Sequence, residues 1–220
     1  MFGKVGKSAR PNWKILVLAI VFFVVHQPIA GAKIDDPNRF ESKLYGAFIE
    51  GDMKTWDKLI SQMKSAYLEN QDLELLYSIV KAEYGFIAYC IGSGQDKKAE
   101  NHLDVAFAQL DYLEQKGHRL ADVYALKGAF YGYRIGLNKM KAVYLGPKSM
   151  KYIDKSIEAG REKPFGWIEK ANAEYYMPPA FGGSKEKAVE YYNKAVGLYE
   201  KMGLDKGNWR YLNLLTVLAQ

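Results

Sequence analysis

After residue 39, apolar residues recur at spacings of three and four along nearly the whole chain, which is the pattern of helices that bury one face. Phe40, Leu44, Ala47 and Phe48 predict a helix from about Arg39 to Glu50, and Gly51-Asp52 ends it and caps the next. Trp56, Leu59, Ile60, Met63 and Tyr67 then share a face from Met53 to Glu69, so the two segments read as one helical hairpin. A second hairpin follows from Asp72 to Ile91 and from Asp96 to Lys116, broken at Gly92-Ser93-Gly94. Its second helix alternates small and large residues at Ala99, Leu103, Ala106 and Leu110, and Gly117 is a natural stop.

The third hairpin begins near Leu120 with Tyr124, Gly128 and Tyr131. Gly128, Gly132 and Gly136 lie four apart, on one helix face. Each interior glycine costs about 0.8–1 kcal/mol relative to alanine, so close approach of another backbone is expected along this face, with a ligand in the groove as the alternative. Leu137 to Pro147 reads as a lengthened connection, and Lys148 to Ala159 as the second helix. The fourth hairpin enters at Pro164 and passes Trp167, Ile168, Ala171 and Tyr175. Pro178-Pro179 stop that helix, Gly182-Gly183 permit positive φ, and Ser184 caps a helix with Ala188, Tyr192, Ala195, Val196 and Tyr199 along one face. Gly203 ends it, and Asn208 caps a last helix, Trp209 to Ala219, whose Leu212, Leu215 and Leu218 are expected to cover the open end of the stack. No alternating strand pattern of any length interrupts this series, and the predicted fold class is all-α.

The Ala-x3-aromatic-x2-Ala spacing of Ala188, Tyr192 and Ala195, together with Gly183 and with Gly128 and Tyr131, is similar to the tetratricopeptide (TPR) repeat over about residues 40–201. The segment YYMPPAFGGSKEKAVEYYNKA resembles more particularly exported bacterial TPR-like proteins, including the TPR component associated with tripartite ATP-independent periplasmic transporters. This resemblance implies a right-handed superhelix of about four TPR-like hairpins plus a C-terminal capping helix, with a concave surface built mainly from the first helix of each hairpin. It also implies a non-enzymatic adaptor that binds a peptide or protein partner in the cell envelope and needs no cofactor. On that geometry the groove would present Tyr45, Phe48, Tyr84, Ala88, Tyr133, Tyr176 and Met177, with Phe181 at the rim. The transporter resemblance allows an alternative, a periplasmic component that takes a small organic ligand.

Ahead of the helical pattern, Lys4, Lys7, Arg10 and Lys14 precede an eleven-residue apolar run from Ile15 to Val25, and Ala30-Gly31-Ala32 follows. This is the form of a secretory signal peptide, cleaved near Ala32; the run is shorter than the ~20 residues of a membrane span. Residues 1–32 thus read as signal peptide, 33–39 as linker and 40–220 as the helical domain, which places the mature protein in the periplasm or outside the cell. The charge picture changes with that division. Without residues 1–32, which hold four basic and no acidic residues, 27 basic face 25 acidic residues, so the net charge falls from +6 to +2 and no case for nucleic acid remains.

Chemistry is sparse. Cys90 is the only cysteine, sits in an apolar run and reads as a small core residue. His102 and His118 are not at a metal-ligand spacing and read as surface histidines, so no metal is expected. Gly92-Ser93-Gly94 lacks the nucleophile and phosphate-loop patterns. Glu169 and Glu174, five apart, point to different sides of their helix and do not make a carboxylate dyad. The residue type that stands out is tyrosine, 17 in all, whose broad apolar face and polar tip suit recognition surfaces as well as helix packing.

Overall fold

The first helices of the four hairpins, α1 (Pro37–Glu50), α3 (Leu73–Gly92), α5 (Leu120–Leu137) and α7 (Pro164–Tyr176), stand side by side in one layer, each packed on the next. Their partners α2 (Met53–Asn70), α4 (Asp96–Gln115), α6 (Ala142–Ala159) and α8 (Lys185–Lys201) lie behind them, and each of α2, α4 and α6 is seated between its own first helix and the following one. A ninth helix, α9 (Trp209–Leu218), closes the series. The computed structural model describes residues 37–219; the residues read as signal peptide lie outside the described residues. Asp35–Gln220 form one compact unit. Among the described residues the regular structure is helical throughout, as the periodicity requires, and no helix is long and apolar enough to cross a membrane.

Local chemistry sets the boundaries. Pro37 opens α1, where its missing N–H costs nothing, so the helix begins inside the stretch read from sequence as linker. Asp52 accepts from the Thr55 amide at 3.0 Å, and Asp72 from the Glu74 and Leu75 amides at 2.6 and 3.2 Å. Ser184 accepts from Lys187 at 3.2 Å, and Asn208 from Arg210 and Tyr211 at 3.1 and 3.3 Å. Each of these side chains satisfies amides that the first turn of a helix leaves unpaired. The small-large rhythm is the core itself: Ala99, Leu103, Ala106 and Leu110 are buried between α3 and α5, as are Ala188, Tyr192, Ala195 and Tyr199 against α7. Cys90 is also wholly buried, and burial pushes its thiol up from the ordinary range.

Three expectations need correction. The residues read as a long connection between α5 and α6 are mostly helix. A 3₁₀ turn, Lys139–Lys141, follows Asn138, and α6 starts at Ala142 with Pro147 inside it. The carbonyl that Pro147 leaves unpaired is that of Val143, a residue 86% exposed, where water can satisfy it. Second, the glycine stripe is divided. A Cβ at Gly128 would lie 2.6 Å from Ile153 Cγ1 and 3.2 Å from the Ser149 carbonyl, so α5 and α6 touch there, whereas Gly132 and Gly136 face open space.

The third correction concerns α9, which does not simply cover the open end of the stack. It packs on α8 and also on α1, so it spans the inner side of the first-helix layer. Its seat is Trp209, edge-on to Trp56 at 5.0 Å, 6.0 Å from Phe48 and 6.4 Å from Tyr84. Gly85 makes room, since a Cβ there would lie 3.0 Å from both indoles. The buried face of α9 is therefore Trp209 and Leu214, with Tyr211, Val217 and Leu218 alongside, while Leu215 is exposed and Leu212 half-buried.

Candidate functional site

Because the first helices pack side by side, residues three and four apart on their inner sides make one continuous surface. Part of that surface is charged. Glu41 of α1 pairs with Lys81 of α3, and Asp122 of α5 lies 3.7 Å from both Arg119 and Lys163. Arg210 of α9 enters the same region. Its guanidinium lies over the Phe165 ring at 4.7 Å, and its enclosed Nη1 has no hydrogen-bond partner.

Toward the C-terminal ends of α3 and α5 the surface becomes aromatic. Tyr84 stacks on Tyr133 at 5.5 Å and 25°, and meets Phe165 edge-on at 5.3 Å. A hydrogen-bonded chain runs beneath these rings. The Tyr84 hydroxyl donates to Glu169 Oε1 at 2.7 Å, and Asn172 Nδ2 donates to Glu169 Oε2 at 3.2 Å. The Tyr192 hydroxyl, reaching over from α8, donates to Asn172 Oδ1 at 2.6 Å, and the Tyr133 hydroxyl donates to the Tyr84 carbonyl at 3.3 Å. Phe165, Glu169, Asn172 and Tyr176 follow one another at spacings of four, three and four, so a single face of α7 carries this set.

Glu169 is 3% exposed, and burial pushes its carboxyl up to about 7. Burial first, and then the neighbouring Glu169 carboxyl, hold the Tyr84 and Tyr133 phenols well above their ordinary range, so both remain hydrogen-bond donors at neutral pH. This is a satisfied polar network rather than a set of free reacting groups, and its effect is to fix the ring positions. Among the described residues no group of three or more His, Cys, Asp and Glu could hold a metal ion. His102 and His118 are half-buried rather than free on the surface: His102 Nδ1 lies 2.6 Å from the buried Glu83, which also pairs with Lys64 at 2.6 Å, and His118 Nε2 lies 3.1 Å from Glu74.

The accessible part of the site is the turn from α7 into α8. Tyr176 and Phe181 are each 78% exposed, and Met177 is half-buried between them in sequence. The turn is firmly built. Pro179–Phe181 form a 3₁₀ turn, Gly182 takes φ +96°, and the Ser184 amide donates to the Glu174 carbonyl at 3.1 Å. Gly183 is needed for closeness rather than for positive φ, because a Cβ there would lie 1.9 Å from the Met177 carbonyl oxygen. Burial first, then Glu169 and to a smaller degree Tyr176, holds the Tyr133 and Tyr192 phenols above the ordinary range.

The sequence-derived residues therefore fall into two groups. Tyr84 and Tyr133 meet each other in the interior, and Phe48 meets Trp209; Tyr45 is half-buried against the core. Ala88, Tyr176 and Phe181 remain open, with Met177 between the two groups. Sequence reasoning missed Phe165, Glu169, Asn172 and Trp209. The first three could have been found from their shared face with Tyr176; the position of Trp209 depends on a contact about 150 residues away and left no local signal. Two hollows of 540 and 280 Å³ lie elsewhere, along the outer side of α6 and between α4, α5 and α6.

No family model matches the sequence, and no curated protein matches it. A solved structure, the HusA haemophore from Porphyromonas gingivalis, matches at a TM-score of 0.69 with 19% identity, over 86% of this chain and 94% of that one. At that identity the likeness is one of fold.

Proposed function

We propose that the protein is an exported binding protein, not an enzyme, and that it takes a flat, largely apolar organic ligand of the haem class at the open end of its inner face. The observation that carries this reading is the junction of a rigid aromatic floor with an exposed aromatic rim. Tyr84 is held by Glu169 and stacks on Tyr133, and Tyr176 and Phe181 stand in water at the firmly built turn that follows α7. Rigid aromatic faces suit a planar ligand because stacking loses little side-chain freedom. Haem is the probe of choice because the matching solved structure is named a haemophore. The reading as a peptide or protein adaptor is less well supported, since α9 already lies across the inner face where an extended peptide would run.

The test titrates haemin, and separately metal-free protoporphyrin, into residues 35–220 and follows the porphyrin absorbance. Wild-type protein should bind with a shifted spectrum, and a Tyr176→Ala, Phe181→Ala variant about tenfold or more weakly, the loss of two stacking residues. Equal binding by the variant would remove the site. Retention of a peptide at the same residues, with no porphyrin binding, would restore the adaptor reading.

A further inference from the structure

The 31 residues from Val123 to Ile153 hold six basic residues and no acidic one. Two of the six are neutralised by the neighbouring helix α4: Lys127 pairs with Glu114 and, at 2.5 Å, with Asp111, while Arg134 pairs with Asp104 at 2.6 Å. Lys139, Lys141, Lys148 and Lys151 have no carboxylate within 4.0 Å among the described residues. Interleaved with them are apolar side chains that the fold holds out into water. Met140 and Val143 are each 86% exposed, and Tyr144 is 54% exposed. The backbone that carries them is anchored. Asn138 Oδ1 accepts from the Met140 amide at 3.1 Å, and Leu145 is buried at 6% exposure immediately after Tyr144.

Single exposed apolar residues are ordinary. Three within five positions, on an anchored tip and among uncompensated lysines, are not. We infer that this tip, the α5–α6 connection and the start of α6, docks onto an anionic lipid surface. Met140, Val143 and Tyr144 would enter the boundary between head groups and acyl chains, and the lysines would lie among the anionic head groups. The residue types favour lipid over an acidic protein. Lysine is depleted in the cores of protein interfaces, and its long stem lets an apolar residue beside it sink while the ammonium stays in water. The near-neutral charge of the domain as a whole conceals this, because the acidic residues lie on other segments.

The experiment is co-sedimentation of residues 35–220, the compact unit, with vesicles of neutral phosphatidylcholine and with vesicles containing about 30% phosphatidylglycerol, an anionic lipid of the kind such tips recognise. The expected result is binding to the anionic vesicles, little to the neutral ones, and weakening as salt is raised. Lys139→Glu with Lys141→Glu should reduce binding about tenfold or more. Met140→Ser with Val143→Ser, which removes only exposed side chains and leaves the charge intact, should also reduce it. Lys58→Glu, an exposed charge reversal on α2, should not. Equal binding to neutral vesicles overturns the inference, as does unchanged binding by both tip variants. So does capture by immobilised polyglutamate with no vesicle binding, which would mark an acidic polypeptide as the occupant. Porphyrin binding is read separately and is expected to be unaffected by the tip variants, so the two proposals fail independently.

Discussion

Glu169 is a buried carboxyl whose environment is costly to maintain. A carboxyl raised from about 4.5 to about 7 binds its proton more tightly folded than unfolded. Stability is therefore highest below the unfolded value, falls as pH rises from about 4.5 to about 7, and is flat above. The penalty at pH 8 is on the order of 3 kcal/mol. Glu169→Gln keeps the size and an acceptor for the Tyr84 hydroxyl but removes the titration. In thermal unfolding at pH 5 and pH 8, the fall in Tm of wild type between the two should shrink in Glu169→Gln. An identical fall in both would mean that another group carries the pH dependence. The sequence separates Glu169 from Glu174 correctly, because five positions along a helix point two ways, but it cannot show burial. Only the arrival of α3, α5 and α8 around α7 does that.

At the scale of the helix, the glycine face of α5 makes two opposite predictions. Gly128 is where α6 comes closest, and an added methyl meets Ile153, itself 2% exposed, and the Ser149 carbonyl, neither of which can retreat freely. Gly128→Ala should destabilise by about 1–3 kcal/mol, the range for overpacking. Gly132 faces open space in the same helix, and Gly132→Ala should stabilise by about 0.5–1 kcal/mol through helix propensity and reduced freedom of the unfolded chain. Urea midpoints of the two variants should move in opposite directions. A shared sign would show that spacing alone, not contact, determines the effect. Elements of this kind are legible because helices announce themselves locally: the caps at Asp52, Ser184 and Asn208 and the burial of Ala188, Tyr192 and Ala195 follow from spacings of three and four. The start of α6 was illegible for the same reason. Pro147 speaks against a helix locally, and the tolerance comes from the exposure of Val143.

For the whole molecule the decisive contact is Trp209 among Phe48, Trp56 and Tyr84. Trp209→Ala should cost about 3–5 kcal/mol, as for a buried tryptophan. It should also let α9 detach, so that limited proteolysis cuts near Gly203–Gly207 before the rest unfolds. A loss below about 1 kcal/mol with unchanged proteolysis would show that α9 is held elsewhere. Stacked hairpins are usually open-ended: each meets only its neighbours, and a lineage can add or delete one with modest consequence. Here the last helix must reach the first. An inserted hairpin between α6 and α7 would displace Trp209 from its seat on Phe48 and Trp56 by the width of a repeat, and a deletion would carry it past. The number of hairpins is thus fixed by a length that the two ends measure against each other, and the repeat count becomes a property of the fold rather than a variable of its evolution.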